Sequence, residues 1–90
     1  LIQNNSDLSN NGNLIVSGSN LIGVNIELGG QIINNDSIEI KNIFLNSLTV
    51  FGQILNNGII TASNLGTEDE IRIEGNGSIL NQNTGQIIVK

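Results

Sequence analysis

Three kinds of short apolar run recur in fixed order along this chain, and that repeat restricts its fold more than any other feature. Gly30-Gln31-Ile32-Ile33-Asn34-Asn35 is echoed 22 residues later by Gly52-Gln53-Ile54-Leu55-Asn56-Asn57, and again after a further 25 by Gly77-Ser78-Ile79-Leu80-Asn81-Gln82. A second run with alternating apolar positions follows each: Ile38-Glu39-Ile40, Ile60-Thr61-Ala62 and Ile87-Ile88-Val89. An earlier copy is Leu14-Ile15-Val16, behind Asn10-Asn11-Gly12. A third run completes the unit as Val24-Asn25-Ile26, Leu48-Thr49-Val50 and Ile71-Arg72-Ile73, each ending close to Gly29, Gly52 or Gly75.

Turn chemistry separates the runs at Asn11-Gly12, Asn35-Asp36, Asn57-Gly58 and Asn76-Gly77. Each unit is therefore three short strands joined by tight corners. Such strands bury nothing alone, but stacked coil on coil they enclose a narrow core. The spacing predicts an all-β, right-handed, three-sided parallel β-helix of about four coils of 22–25 residues, with residues 1–90 as one segment. A β-sandwich also has many short strands, but it would not repeat three distinct strand types at one period. Helix is excluded by the β-branched runs and the Asn-Gly pairs.

Alternation along each strand assigns the faces. Leu14, Ile38, Ile60 and Ile87 form one inward column, and Val16, Ile40, Ala62 and Val89 a second. Ile32, Ile54 and Ile79 form a third; Val24, Leu48 and Ile71 a fourth; Ile26, Val50 and Ile73 a fifth. Gln31, Gln53 and Ser78 point outward, as do Asn25, Thr49 and Arg72. Leu21, Leu45 and Leu65 are expected to fill the widest corner. Asn34, Asn56 and Asn81 share another corner, where stacked side-chain amides can form a ladder.

Composition agrees and sets exclusions. There is no Cys, Pro, Met, His, Trp or Tyr, and Phe44 and Phe51 are the only aromatics, so the core must be built from Ile, Leu and Val. The lack of Cys excludes thiol chemistry and disulfides. Three basic against eight acidic residues, a net charge of −5, argue against nucleic acid and against an anionic membrane surface. No apolar run approaches the roughly 18 residues that a spanning helix needs, so membrane insertion is not expected.

The stretch Asn11-Gly12-Asn13-Leu14-Ile15-Val16-Ser17-Gly18-Ser19-Asn20-Leu21-Ile22-Gly23-Val24, with Gly30-Gln31-Ile32-Ile33-Asn34-Asn35, resembles passenger repeats of type V autotransporter adhesins. The likeness is closest to the Asn/Ile-rich, fusobacterial kind and covers nearly the whole chain. Asp36 departs from the glycine that usually follows the turn asparagine, and Thr67–Glu70 is an insertion. The resemblance implies export across two membranes and display on the bacterial cell surface. It implies as partners a surface protein or glycan of a host cell or another bacterium, and it brings no catalytic residues.

Candidate sites are few. Thr67-Glu68-Asp69-Glu70 is the one charge cluster; carboxylates suit calcium, but a solvated loop is the expected reading. Carbohydrate-cleaving β-helices set several carboxylates on one exposed sheet. Here Glu39 neighbours Thr61, and Glu27 neighbours Phe51 and Glu74, and no column carries two adjacent acids with an Arg or Lys. Asn4, Asn35 and Asn76 each begin an Asn-x-Ser triplet, as expected by chance among 17 asparagines. Phe51 is expected to be exposed near Ile33 and Leu55. An ice-binding solenoid needs a Thr array, and Thr49, Thr61, Thr67 and Thr84 share no column. We expect no enzyme, catalytic residue, metal site or cofactor.

The expected function is a structural or adhesive stalk segment of a secreted surface adhesin. A self-assembling solenoid fibre or matrix subunit is the alternative, and a polysaccharide-active module is disfavoured. The chain begins at Leu1 rather than at a methionine and shows no capping repeat, which reads as a segment of a longer solenoid. Leu1–Leu8 and Gln86–Lys90 should then lie on terminal coils, with apolar edges that pair with neighbouring coils of the same or another chain.

Overall fold

The computed structural model describes residues 1–18, 21–66 and 69–90. Eleven strands follow in order: β1 (Asp7–Asn10), β2 (Asn13–Ser17), β3 (Ile22–Ile26), β4 (Gln31–Asn34), β5 (Ser37–Ile43), β6 (Asn46–Val50), β7 (Gln53–Asn56), β8 (Ile59–Asn64), β9 (Ile71–Ile73), β10 (Ser78–Asn81) and β11 (Gln86–Val89). They lie in three sheets, ordered β1-β4-β7-β10, β2-β5-β8-β11 and β3-β6-β9, and every pairing is parallel. The protein is a three-sided β-solenoid of three complete coils and two strands of a fourth, slightly fewer turns than the four expected.

Registers follow the sequence repeat residue for residue. Leu14, Ile38, Ile60 and Ile87 stack in the second sheet, and Leu8, Ile32, Ile54 and Ile79 in the first. These columns meet Val24, Leu48, Ile26 and Val50 of the third sheet in one core, where Ile32, Ile38, Ile54, Ile60 and Leu48 are all at most 3% exposed. The columns open toward their ends: Ile73 and Val89 face inward but are half-exposed among the described residues.

Most of the uneven period comes from a single turn. Four residues, Glu27–Gly30, join β3 to β4, and four, Glu74–Gly77, join β9 to β10. Between them β6 passes to β7 through only Phe51 and Gly52, which accounts for the 22-residue coil. The long version turns on a left-handed residue, Gly29 (φ 82°) and Gly75 (φ 56°), with Asn5 (φ 62°) at the same place one coil earlier. The short version packs so closely that a Cβ on Gly52 would sit 2.2 Å from the Gly30 carbonyl oxygen.

The widest corner is built differently from the expectation. Leu21 and Leu65 are 65% and 68% exposed, and Leu45 is only partly buried. Ile43, fully buried, fills the corner instead. β5 shifts register between Ile40 and Ile43, with Asn42 at φ 56°, and this extra step breaks the simple alternation and turns Ile43 inward. Room for it comes from Gly23, whose Cβ would lie 2.6 Å from Ile40 Cγ2 and 3.1 Å from Ile43 Cγ1.

The first residues belong to the same architecture. Ile2 bridges in parallel to Ile26. The amide of Ile2 donates to the Asn25 carbonyl, that of Glu27 to Ile2 and that of Gln31 to Ser6. Leu1–Ser6 is thus the end of a third-sheet strand and its turn, one coil before β3. Both ends are paired along one edge, as β1 pairs with β4 and β11 with β8.

Candidate functional site

Two amide ladders form the most ordered polar feature, and both come from the Asn-Asn pairs that close the first-sheet strands, with Asn81 and Asn83 in place of a pair in the last coil. Successive residues of a strand point to opposite sides, so one asparagine of each pair faces in and the next faces out. Inside, Asn10 Nδ2 donates to Asn34 Oδ1 (2.9 Å), Asn34 Nδ2 to Asn56 Oδ1 (2.8 Å) and Asn56 Nδ2 to Asn81 Oδ1 (2.9 Å). Asn34 and Asn56 are fully buried, and their Nδ2 groups also reach the carbonyls of Asp36 and Ile59, and of Gly58 and Gln86. A buried amide needs such partners, because leaving it unpaired costs about 1–3 kcal/mol.

Outside runs a second ladder that the sequence reading missed. Asn35 Nδ2 donates to Asn11 Oδ1 (2.9 Å), Asn57 Nδ2 to Asn35 Oδ1 (2.9 Å) and Asn83 Nδ2 to Asn57 Oδ1 (3.1 Å). The signal was present, since Asn10-Asn11, Asn34-Asn35 and Asn56-Asn57 repeat as pairs. The two ladders run in opposite senses. The inner one hands its hydrogens toward the C-terminal coil, the outer one toward the N-terminal coil.

A notch lies at the corner between the third and first sheets. The two-residue turn Phe51-Gly52 sits between longer turns above and below, so Leu28, Gly29 and Asn76 overhang it and leave a groove of about 390 Å³. Phe51 is 40% exposed and Leu28 67%. Asn4, Asn25 and Glu27 continue the same surface on one side, and Thr49, Arg72 and Glu74 on the other. Ile33 and Leu55, expected beside Phe51, pair with each other on the neighbouring sheet and are half-buried. The outward column Asn25–Thr49–Arg72 keeps its register. Yet Thr49 is only 4% exposed, and its hydroxyl and Asn25 Oδ1 are buried without a hydrogen-bond partner among the described residues.

The ionisable residues do not converge. Thr67 and Glu68 of the acidic cluster lie outside the described residues. Asp69 and Glu70 contribute backbone carbonyls, which accept from Asn46 Nδ2 and the Leu48 amide. Among the described residues no three His, Cys, Asp or Glu side chains gather as a metal site would require. Glu39 pairs with Lys41 at 3.6 Å and Arg72 with Glu74, both on exposed surface. Glu39 stands beside Thr61 in register. Of the three Asn-x-Ser triplets, Asn35 has its amide engaged in the outer ladder, while Asn4 and Asn76 are exposed. No helix among the described residues is long and apolar enough to cross a membrane.

No protein-family model, curated protein or solved structure matches the chain. The fold and its surfaces therefore carry the functional argument alone.

Proposed function

We propose that this chain is a rigid stalk segment of a β-solenoid adhesin displayed on a bacterial surface. The observation that supports the reading is the continuous parallel pairing of strands through all three sheets, pinned at one corner by the buried Asn34–Asn56 amide contact. Every coil adds about 4.8 Å of length and the same hydrogen bonds as the last. Such a body serves as a spacer, and its outward Gln, Asn, Ser and Glu side chains keep the faces hydrated. The reading assigns it no reaction. Contact with a protein or glycan of another cell would fall to exposed features such as the Phe51–Leu28 notch.

Antibodies raised against the 90-residue chain test the display. They should label intact cells of the source bacterium, and protease treatment of whole cells should remove the signal. Signal confined to lysed cells would overturn surface display. Binding of the chain to host cells or to a glycan array, lost in Phe51→Ser with Leu28→Ser, tests adhesion separately.

A further inference from the structure

The outer face of the third sheet carries two columns that meet at the notch. Asn25, Thr49 and Arg72 form one, in register. Glu27, Phe51 and Glu74 form the other, each the residue that follows its strand. They are held in step where the Phe51 amide donates to the Ile26 carbonyl and the Glu74 amide to that of Val50. Residues two apart on an extended chain share a face. Arg72 therefore stands beside Glu74 on one level and Asn25 beside Glu27 on another, with Phe51 on the coil between.

At the first of these levels the chain completes an ion pair by itself. Arg72 Nε donates to Glu74 Oε1, in a groove of about 300 Å³ that Thr49 and Phe51 also line. At the second level the chain supplies no cation. Asn25 stands where Arg72 would, and among the described residues no ion pair reaches Glu27. The grooves on that side, of about 490 and 390 Å³, are lined by Phe51, Leu28, Glu27 and Asp7 among others, and by no lysine or arginine. Asn25 Oδ1 is buried there without a donor among the described residues. Carboxylates, an amide oxygen and an aromatic ring all attract one kind of group, a cation that only donates.

We propose that this side of the notch binds an arginine side chain of a partner protein, its guanidinium taking at Glu27 the place that Arg72 takes at Glu74. The planar fork donates to the Glu27 carboxylate and stacks on Phe51, while the apolar stem lies along Leu28. A turn of the Asn25 side chain brings its Oδ1 to a remaining N–H and pairs an acceptor that is costly to leave unpaired. Asp7 and the net charge of −5 draw a basic segment toward the groove. Lysine offers the charge but not the fork. The inference rests on the reading of the notch as a contact surface and names what it contacts, an exposed arginine of a protein rather than a glycan.

Nuclear magnetic resonance of the isotope-labelled 90-residue chain tests it, with acetyl-Gly-Gly-Arg-Gly-Gly-amide as the probe. The peptide should shift the Phe51 ring and Glu27 side-chain resonances before any others, and less as salt is raised. The same peptide carrying citrulline, which keeps the shape and loses the charge, should bind more weakly, as should its lysine analogue. Glu27→Gln and Phe51→Leu should each weaken binding about threefold. Glu39→Gln, the same charge change beside Lys41, should leave it intact. Asn25→Arg copies the Arg72–Glu74 pair at Glu27 and should abolish peptide binding, with amide resonances away from the notch unchanged. Binding that survives Asn25→Arg overturns the proposal, as does equal weakening by Glu27→Gln and Glu39→Gln, or no preference for the arginine peptide over its two analogues. A Phe51 shift caused by the neutral oligosaccharide maltotetraose and not by the peptide also overturns it, and would give the notch to a glycan. The titration reads the notch alone and cell labelling reads display, so each can fail without the other.

Discussion

Asn34 donates its side-chain amide to Asn56 Oδ1 at 2.8 Å, and both residues are fully buried. A polar pair at such depth holds the coils in register, because sliding one coil by a residue would strand two amides in an apolar core. Its neighbours Asn35 and Asn57 make the same contact at the surface, at 2.9 Å. The two pairs therefore separate the effect of burial from that of the hydrogen bond.

Asn56→Asp is expected to cost several kcal/mol at neutral pH, since it buries a carboxylate and removes the donor to Asn81. Asn57→Asp, half-buried at the surface, should cost about 1 kcal/mol. The Asn56→Asp loss should shrink on acidification. Burial raises the pKa of the new carboxyl in the folded state above its unfolded value of about 3.9. The folded state then binds more protons, so stability falls as pH rises through that window and recovers below it. Thermal melts between pH 4 and 7 check this; a flat profile would contradict the buried position.

Ile54 and Gln53 test the facing of the first sheet. Ile54 is 1% exposed and Gln53 is exposed. Ile54→Asp should unfold the protein or cost several kcal/mol, while Gln53→Asp should stay within about 0.5 kcal/mol. Chemical denaturation of the two variants measures the difference, and similar midpoints would show the facing to be reversed.

Much of this was legible in the sequence. Ile54 and Gln53 declare their faces because alternation is a property of the extended chain, and Ile32, Ile54 and Ile79 share an offset from their glycines. The inner ladder was visible for the same reason at Asn34, Asn56 and Asn81. The outer ladder was not, because Asn35 and Asn57 also suit turn geometry, and an amide that stabilises a turn looks the same in sequence as one that bonds across coils. Ile43 was missed because its inward aim depends on the left-handed Asn42, which no apolar period marks. The 22-residue spacing was plain, yet only the register shows that Phe51-Gly52 is the shortened turn, and hence where the notch lies.

Gly23 should resist any side chain. A Cβ there would lie 2.6 Å from Ile40 Cγ2 and 2.7 Å from the Ser47 carbonyl oxygen. Gly23→Ala is expected to destabilise by about 1–3 kcal/mol through overpacking. Gly12→Ala meets nothing within 4 Å and should be close to neutral. Comparing melting temperatures decides it, and an equal response would mean that the corner at Ile43 is loose.

Stability should also be graded along the axis. Strands β5, β6 and β7 are paired on both edges, whereas β1 and β11 are paired on one. In hydrogen exchange, amides of β5 and β7 should be the slowest and those of β11 the fastest. Uniform exchange would indicate a single cooperative unit.

The opposite senses of the two ladders have an electrical consequence. Peptide groups in an α-helix all point one way, and their moments add into partial charges at the two ends. A single column of aligned side-chain amides would do the same, leaving a partial charge of opposite sign at each end. Here the column through Asn34 and the column through Asn35 carry opposed moments side by side, and they offset each other. The two columns therefore set opposite partial charges at each end of the rod.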